Sequence, residues 1–162
     1  IIASGMNASK ERREKVDFST TYYDSALVVA VKEGNIAIKS IDDLTPDMKA
    51  GAQIGTTGAE LATELFDEGK IGEAKIYNGL DVAVMDLQNG TIDALINDLP
   101  VTKDYMAAKP GTIEIVGEAL SAESYGFAVK KGNTELLEKI NTGMQNIIDD
   151  GTFDEIYTKW FE

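Results

Sequence analysis

Apolar and polar residues along the chain follow two alternating patterns, one typical of buried strands and the other typical of helices. Short apolar runs that predict strands lie at residues 26–31, 52–54, 92–96, 113–116 and 125–129. Helical spacing of apolar residues predicts helices at 59–68, 80–87 and 136–148, with a last helix from Thr152 onward. Because strands and helices alternate, we expect βαβ units, a mostly parallel sheet and ligands outside the carboxyl ends of its strands.

At the two ends of the chain, the pattern predicts too few strands and helices to form a second complete lobe. Residues 1–5 have the pattern of a short apolar strand, and Ser9 is a suitable N-cap for one helical turn at residues 10–15. Ile1-Ile2-Ala3 has the character of the middle of a buried strand, with no turn before it. We therefore expect the chain to start partway through a larger protein, of which it is a fragment.

Composition narrows the range of functions. The 162 residues are 43% hydrophobic and 27% charged, which fits one globular domain or two small lobes with a real core. A net charge of −13 argues against nucleic acid as a partner, because neutralising phosphates needs clustered Lys and Arg. With no Cys and no His, disulfides, thiolate nucleophiles, Ser-His-Asp triads and most zinc sites are excluded.

A basic turn stands out in this acidic chain at SGMNASKERREKVDF, residues 4–18. Arg12 follows the first predicted strand, where a planar guanidinium can grip a carboxylate through two hydrogen bonds. The alternative is a solvated helix charge that pairs with Glu11 or Asp17, which is the commoner role of an isolated arginine. We assign Arg13 to that second role.

Two further polar features also follow predicted strands. GTTG at residues 55–58 precedes a helix, with Thr57 and Glu60 at capping-box spacing, so its N–H groups suit an anion such as a carboxylate. GTTG matches neither the Walker nor the Rossmann phosphate-binding pattern, and an ordinary capped turn is the alternative. Asp98 precedes Pro100 of the next helix, where it is either a helix cap or a ligand-binding group.

The three features together match a zwitterion. A guanidinium and a helix N-terminus can hold a carboxylate, and an aspartate can hold an ammonium through charge-assisted hydrogen bonds. An α-amino acid carries both groups two bonds apart, so each buried charge gains a partner and desolvation does not dominate the binding free energy. The residues therefore predict a site for an amino acid.

Several sequence marks, in order and over the whole chain, resemble a known protein family. The marks are IIASGMNASKERREKVDFSTTYYDS, IKSIDDL, QIGTTGAEL, NGTIDALINDLP, YGFAVKKGN with ELLEKIN, and DDGTFDEIYTKWF. They resemble the C-terminal two-thirds of the polar amino-acid-binding proteins of ABC importers, which belong to family 3 of the periplasmic, or extracellular, solute-binding proteins. Glutamine- and histidine-binding receptors are similar members.

The resemblance implies the periplasmic-binding-protein type II fold, with two α/β lobes. Residues 27–120 would form a complete lobe with a mixed, mostly parallel sheet. Residues 1–21 and 126–162 would form the C-terminal part of the other lobe, whose opening elements would lie upstream of Ile1. Crossings at residues 22–26 and 121–125 would act as the hinge.

The resemblance also implies roles for single residues. Arg12 would grip the ligand carboxylate, assisted by the backbone N–H groups of Asn7 and Thr57. Gly5 would offer its carbonyl to the ligand ammonium, and Asp98 would make the main charged contact with that ammonium. Asn7 stands where relatives usually have Thr or Ser, so the family's hydroxyl contact is missing here.

The function implied by the resemblance is capture of a polar L-amino acid between the lobes, with Gln53 contributing to side-chain selectivity. Closure around the ligand would be recognised by the membrane permease subunits of the ABC transporter. The protein would be extracytoplasmic, in the periplasm or lipid-anchored at the surface of a Gram-positive cell. A fragment with an incomplete lobe would bind poorly and would favour domain swapping or self-association.

Two other functions occur on the same fold. A catalytic relative of the cyclohexadienyl-dehydratase type needs a general acid and base, and the sequence offers no evident candidate besides Asp98. A ligand-sensing domain of a receptor would be joined to a membrane helix or kinase-like segment downstream of Glu162. Amino-acid binding for transport is the interpretation that the sequence favours, and with it we expect no enzyme, no cofactor and no metal.

Overall fold

The structure, a computed structural model, describes residues 1–161, within which nine strands and six α-helices follow one another. The strands are β1 Val16–Phe18, β2 Tyr23–Ser25, β3 Leu27–Lys32, β4 Lys49–Gln53, β5 Glu73–Tyr77, β6 Ala94–Asp98, β7 Ile113–Val116, β8 Glu123–Tyr125 and β9 Ala128–Lys130. The helices are α1 Lys10–Lys15, α2 Thr57–Asp67, α3 Leu80–Gln88, α4 Leu99–Ala108, α5 Thr134–Asp149 and α6 Thr152–Phe161. A short 3-10 helix covers Ile41–Asp43.

The chain divides into two compact units. Unit 1 comprises Ile1–Asp24 and the chain from Glu123 onward, and unit 2 comprises Ser25–Ala122. The chain therefore leaves unit 1 once and returns to it once. The strands at these two points, β2 and β8, pair with each other. Both points fall within the segments at 22–26 and 121–125 that the sequence suggests as crossings, whose role as a hinge stays a prediction.

Unit 2 is built on a five-stranded mixed sheet with the order β5-β4-β6-β3-β7. Its strand β4 runs parallel to β5 and β6, whereas β3 runs antiparallel to β6 and β7. The predicted α/β fold with a mixed sheet is confirmed, although parallel pairs do not predominate among these strands. The reason is topological: β7 lies beside β3 and leads the chain back toward its entry point, so β7 must run opposite to β3.

Helices cover both faces of this sheet. One apolar cluster joins the sheet to α2, and a second cluster joins it to α3 through Ala83, Val84 and Leu87, which is the predicted apolar face of that helix. Strand β3 is buried from Leu27 onward except for Lys32, and β6 is buried throughout. Burial on both faces explains why these two strands show continuous apolar runs rather than alternation.

Unit 1 has shorter elements. Strands β1 and β9 form an antiparallel pair, and the strand predicted at residues 1–5 is reduced to one bridge between Ile2 and Ala128. Helix α5 begins at Thr134 and has the predicted amphipathic pattern, yet among its residues only Met144 is buried. In α6 the indole of Trp160 is 69% exposed. The apolar faces of α5 and α6 are thus largely uncovered within the described residues.

Ile96 and Ile36 form a matched pair for testing the core of unit 2. Ile96 is 0% exposed in β6, whereas Ile36 is 86% exposed in the loop after β3. We expect Ile96→Ala to lower the free energy of unfolding by about 2–5 kcal/mol, because it removes buried methyl groups and leaves a cavity. The control Ile36→Ala should change it by less than about 0.5 kcal/mol. Urea unfolding followed by circular dichroism measures both free energies. Equal losses of stability in the two variants would contradict the position of Ile96 in the core.

Candidate functional site

The first candidate residues lie in unit 1, in the loop that precedes α1. A bridge between Asn7 and Tyr125 ties this loop to β8. Just before the bridge, Gly5 has a φ of 62°, in the left-handed region that glycine adopts without strain. Burial raises the pKa of Tyr22, and a hydrogen bond with the Gly5 backbone lowers it in part. The backbone at Gly5 is therefore held between β8 and the half-buried phenol of Tyr22.

Asn7 is the most enclosed of the candidate residues in unit 1, with 4% exposure. Its side-chain amide donates from Nδ2 to Oε2 of Glu123 at 2.5 Å. Its main-chain carbonyl accepts a hydrogen bond from Nη1 of Arg12 at 3.2 Å. Asn7 thus links a carboxylate on one side to the candidate guanidinium on the other.

The two neighbouring arginines have different environments. Arg12 is half-buried, and its backbone N–H donates to the Ser9 hydroxyl at 3.3 Å, which confirms Ser9 as the N-cap of α1. Arg13 is exposed, donates from Nε to the Ala8 carbonyl at 2.9 Å and lies over the Phe18 ring at 5.4 Å from its centroid. Arg13 therefore helps to hold the loop before α1, and these contacts are with Ala8 and Phe18 rather than with the predicted partners Glu11 or Asp17.

The second group of candidates lies in unit 2, beginning at the turn between β4 and α2. Gln53 is the last residue of β4, and its carbonyl accepts from the Thr56 hydroxyl at 2.7 Å. The N-cap is Thr56, whose hydroxyl accepts from the Ala59 backbone N–H at 3.2 Å, so the capping role predicted for Thr57 is wrong. Thr57 is instead the first residue of α2, and the N–H groups of a first turn attract anions.

Asp98 ends β6 and is 9% exposed. It occupies the N-cap position of α4, but its side chain makes no capping hydrogen bond. The Thr102 hydroxyl donates to the Asp98 carbonyl at 2.8 Å and accepts from Nδ2 of Asn97 at 3.1 Å. The turn is therefore fixed by Thr102, and the Asp98 carboxylate does not serve as the cap that the sequence allows.

Gly58 explains how close α2 comes to β6. A Cβ atom at Gly58 would stand 2.6 Å from the carbonyl oxygen of Ile96, which is closer than such atoms approach in proteins. Strands β4 and β6 are parallel neighbours, so Gln53 and Asp98 end them at the same edge of the sheet. The structure therefore places Gln53, Thr57 and Asp98 at one edge of unit 2.

The two groups of residues have complementary chemistry. Unit 1 brings together Gly5, Asn7 and Arg12, which offer main-chain carbonyls and a guanidinium. The edge of unit 2 offers a helix N-terminus and a buried carboxylate. A guanidinium and a helix N-terminus suit an anion, whereas a carboxylate and carbonyls suit a cation.

Glu123 is a polar residue that the sequence analysis does not single out. It lies at the start of β8 and binds the side chain of Asn7, a residue 116 positions earlier. Its neighbours Ala122 and Ser124 give no pattern typical of a site. A contact across so many positions leaves no local signal in the sequence.

The described surface also has a groove, which the candidate residues do not line. An open groove of about 670 Å³ follows α2 and is lined in part by Ile54, Glu60, Glu64 and Ile76, but Gln53, Thr57 and Asp98 are outside it.

Within residues 1–161 no cluster of three acidic, His or Cys residues could hold a metal ion. In the same range, no helix has the length and apolar character needed to cross a membrane.

Sequence comparison gives matches over the whole chain. The family model for bacterial extracellular solute-binding proteins, family 3, matches residues 1–162. Putative ABC transporter arginine-binding protein 2 of Escherichia coli (strain K12) is 33% identical over 166 residues, covering 99% of this chain and 65% of the relative. ABC transporter glutamine-binding protein GlnH of Bacillus subtilis (strain 168) is 33% identical over 161 residues, covering 99% and 57%. The chain spans less than two thirds of either relative.

Structural comparison agrees with these matches. An ancestral arginine-binding protein bound to arginine superimposes with a TM-score of 0.89 and 39% identity, covering 98% of this chain and 70% of the other. This similarity confirms the predicted fold class. The relatives are named as amino-acid-binding proteins rather than as enzymes, which supports the prediction that the chain is not an enzyme.

Two helical glycines test how α2 is seated on β6. We expect Gly58→Ala to destabilise the protein by about 1–3 kcal/mol, because the added methyl group meets the Ile96 main chain, which cannot move aside easily. Gly143 in α5 has nothing within 4 Å of an added Cβ, so Gly143→Ala should stabilise it by about 0.5–1 kcal/mol. Thermal unfolding of both variants gives the comparison. If Gly58→Ala left the stability unchanged, α2 would not be held this close to β6.

Proposed function

Because the chain belongs to the bacterial extracellular solute-binding proteins of family 3, we propose that it is part of the substrate-binding component of an amino-acid ABC transporter. In this proposal the full-length protein captures a polar L-amino acid between two lobes and delivers it to the permease subunits. Relatives named for arginine, glutamine, histidine and cystine support an amino acid as the class of ligand.

The observation that carries the proposal is the separation of complementary groups between the two units. Arg12 is half-buried in unit 1 and oriented by the Asn7 carbonyl. Thr57 and Asp98 stand at one edge of the sheet in unit 2, and both are buried. A zwitterion that contacts both units satisfies an anion-binding and a cation-binding group at once, which makes the ligand itself the bridge.

Each candidate residue has a role in this proposal. The Arg12 guanidinium binds the ligand carboxylate, together with the backbone N–H groups of Asn7 and Thr57. The ligand ammonium donates to the Asp98 carboxylate and to the Gly5 carbonyl, and charge-assisted hydrogen bonds of this kind are the stronger ones in proteins. Beyond these contacts, the side chain of Gln53 contributes to selecting the ligand side chain.

Residues 27–120 form the complete lobe in this proposal, and the segments at 22–26 and 121–125 form the hinge. Aromatic stacking within unit 1 supports this arrangement. The rings of Tyr22 and Phe127 stack at 4.7 Å between centroids, and those of Tyr23 and Tyr125 stack at 5.6 Å. Such stacking holds the unit 1 ends of both segments together, so bending would occur beyond them, and ligand binding would favour the closed state.

Membership of a family of extracellular solute-binding proteins supports a location outside the cytoplasm. We propose the periplasm, or a lipid anchor at the surface of a Gram-positive cell, as the site of action. The permease recognises the ligand-bound closed form in this proposal. Selective recognition of one state is what couples ligand capture to transport.

Arg12 and Arg13 provide a matched test of the binding site. We expect Arg12→Ala in the full-length protein to weaken binding of its L-amino acid by roughly 2–5 kcal/mol, because a bidentate, partly buried charge contact is lost. Arg13→Ala removes an equal charge from the next position, where the side chain contacts Ala8 and Phe18, and should leave affinity nearly unchanged. Isothermal titration calorimetry with an amino-acid panel measures both variants.

Three results would contradict the proposed function or the role of Arg12. If wild-type full-length protein bound none of the panel, amino-acid capture would be refuted. If Arg12→Ala bound as well as wild type, or if Arg13→Ala lost as much affinity, the carboxylate would be held elsewhere.

We also propose that the 162-residue chain by itself self-associates, by domain swapping or by simple contact, through apolar side chains of α5 and α6. Ile148, Ile156 and Trp160 are 49%, 48% and 69% exposed, and exposed apolar patches favour association. We expect a concentration-dependent dimer in analytical ultracentrifugation that Ile156→Ser shifts toward monomer. Ile36→Ser, at an 86% exposed position in unit 2, is the control. A monomer at every concentration would refute self-association.

A further inference from the structure

The hydrogen bond between Glu123 and Asn7 joins distant parts of unit 1 next to the candidate site. An ionised carboxylate only accepts hydrogen bonds, so the Asn7 side chain must present its NH₂ group to Oε2 of Glu123, as it does at 2.5 Å. Asn7 is 4% exposed and Glu123 is half-buried. Hydrogen bonds to charged groups in such surroundings are stronger than those between neutral groups.

Main-chain bonds on both sides of Asn7 hold the same loop. The Ala8 N–H donates to the Ser124 carbonyl at 3.0 Å, and the Gly126 N–H donates to the Met6 carbonyl at 3.1 Å. The loop therefore pairs with β8, whose first residue is Glu123. The carboxylate of Glu123 adds a side-chain contact at the point where this pairing reaches Asn7.

Two consecutive main-chain carbonyls of the loop accept hydrogen bonds from the side chains of two consecutive arginines. The Asn7 carbonyl accepts from Nη1 of Arg12 at 3.2 Å, and the Ala8 carbonyl accepts from Nε of Arg13 at 2.9 Å. The direction of the Asn7 carbonyl depends on the backbone angles of Asn7, which the bond from its side chain to Glu123 restricts. A chain of contacts thus runs from Glu123 through Asn7 to the Arg12 guanidinium.

We propose that Glu123 is a positioning residue for amino-acid recognition, which fixes Asn7 and thereby orients Arg12 toward the ligand carboxylate. This inference rests on the proposed function, in which Arg12 binds that carboxylate. Glu123 acts through a hydrogen bond rather than through contact with the ligand. Because β8 also carries the return of the chain into unit 1, the same contact links ligand recognition to the proposed hinge segment.

The test compares three substitutions in the full-length protein. Glu123→Ala removes the acceptor and should weaken binding about tenfold or more. Glu123→Gln keeps an oxygen that accepts from Asn7 and should stay within about threefold of wild type. Asp17→Ala is the control, because it removes another carboxylate of unit 1 that binds Lys131 and the Gly132 N–H instead of the loop. Calorimetry with L-arginine, L-glutamine, L-histidine and L-cystine gives the affinities.

A double-substitution cycle separates positioning from a general structural role. If Glu123 acts through Arg12, adding Glu123→Ala to Arg12→Lys should cost less than about threefold, since the guanidinium that it orients is already gone. A purely structural role would give the same tenfold loss in both backgrounds.

The possible outcomes are distinct. If wild-type protein binds no amino acid of the panel used for Arg12→Ala, the proposed function fails and the role of Glu123 fails with it. If wild-type protein binds one of these amino acids and Arg12→Lys weakens it while Glu123→Ala does not, the site stands and the role of Glu123 is refuted. A loss in Glu123→Gln equal to that in Glu123→Ala would also refute it, since the charge rather than the hydrogen bond would then matter.

Discussion

The antiparallel pairing of β3 with β6 is the interaction on which the rest of unit 2 depends. Ala30 and Leu95 face each other on one face of this pair, Val29 and Ile96 do so on the other, and all four are fully buried. Burial therefore stabilises the pair from both faces of the sheet. The register also sets Leu27 opposite Asp98, which puts the candidate carboxylate where the chain enters the unit. Because α2 approaches β6 closely at Gly58, apolar packing brings a helix N-terminus to the same edge as that carboxylate.

Unit 1 depends more on polar contacts between distant segments than on a large apolar core. Asn7 binds Glu123, and Asp17 binds Lys131 at 2.7 Å. The hydrogen bonds from Lys131 and from the Gly132 N–H lower the pKa of Asp17. Contacts of this kind orient groups without burying much area, and the Asn7 carbonyl orients the Arg12 guanidinium in this way.

Much of the fold could be predicted because its patterns are local. Continuous apolar runs located β3 and β6, and helical spacing located the buried face of α3. Residue types alone also suggested what Arg12 and Asp98 can bind, since a guanidinium and a carboxylate have few alternatives. Their assembly into one ligand site stays a proposal that the fold and the relatives support.

By itself, the sequence determined the course of β3, β6, α2, α3 and α5 and which chemistry each candidate residue offers, because periodicity and side-chain type are local properties. Only the tertiary structure decided which residues and strands contact one another. It moved the N-cap of α2 from Thr57 to Thr56, left the first residues with a single bridge at Ile2, and ran β3 against β6. It also joined Glu123 to Asn7 across 116 positions. Such contacts depend on how the whole chain packs, and no repeat of two or 3.6 residues encodes them.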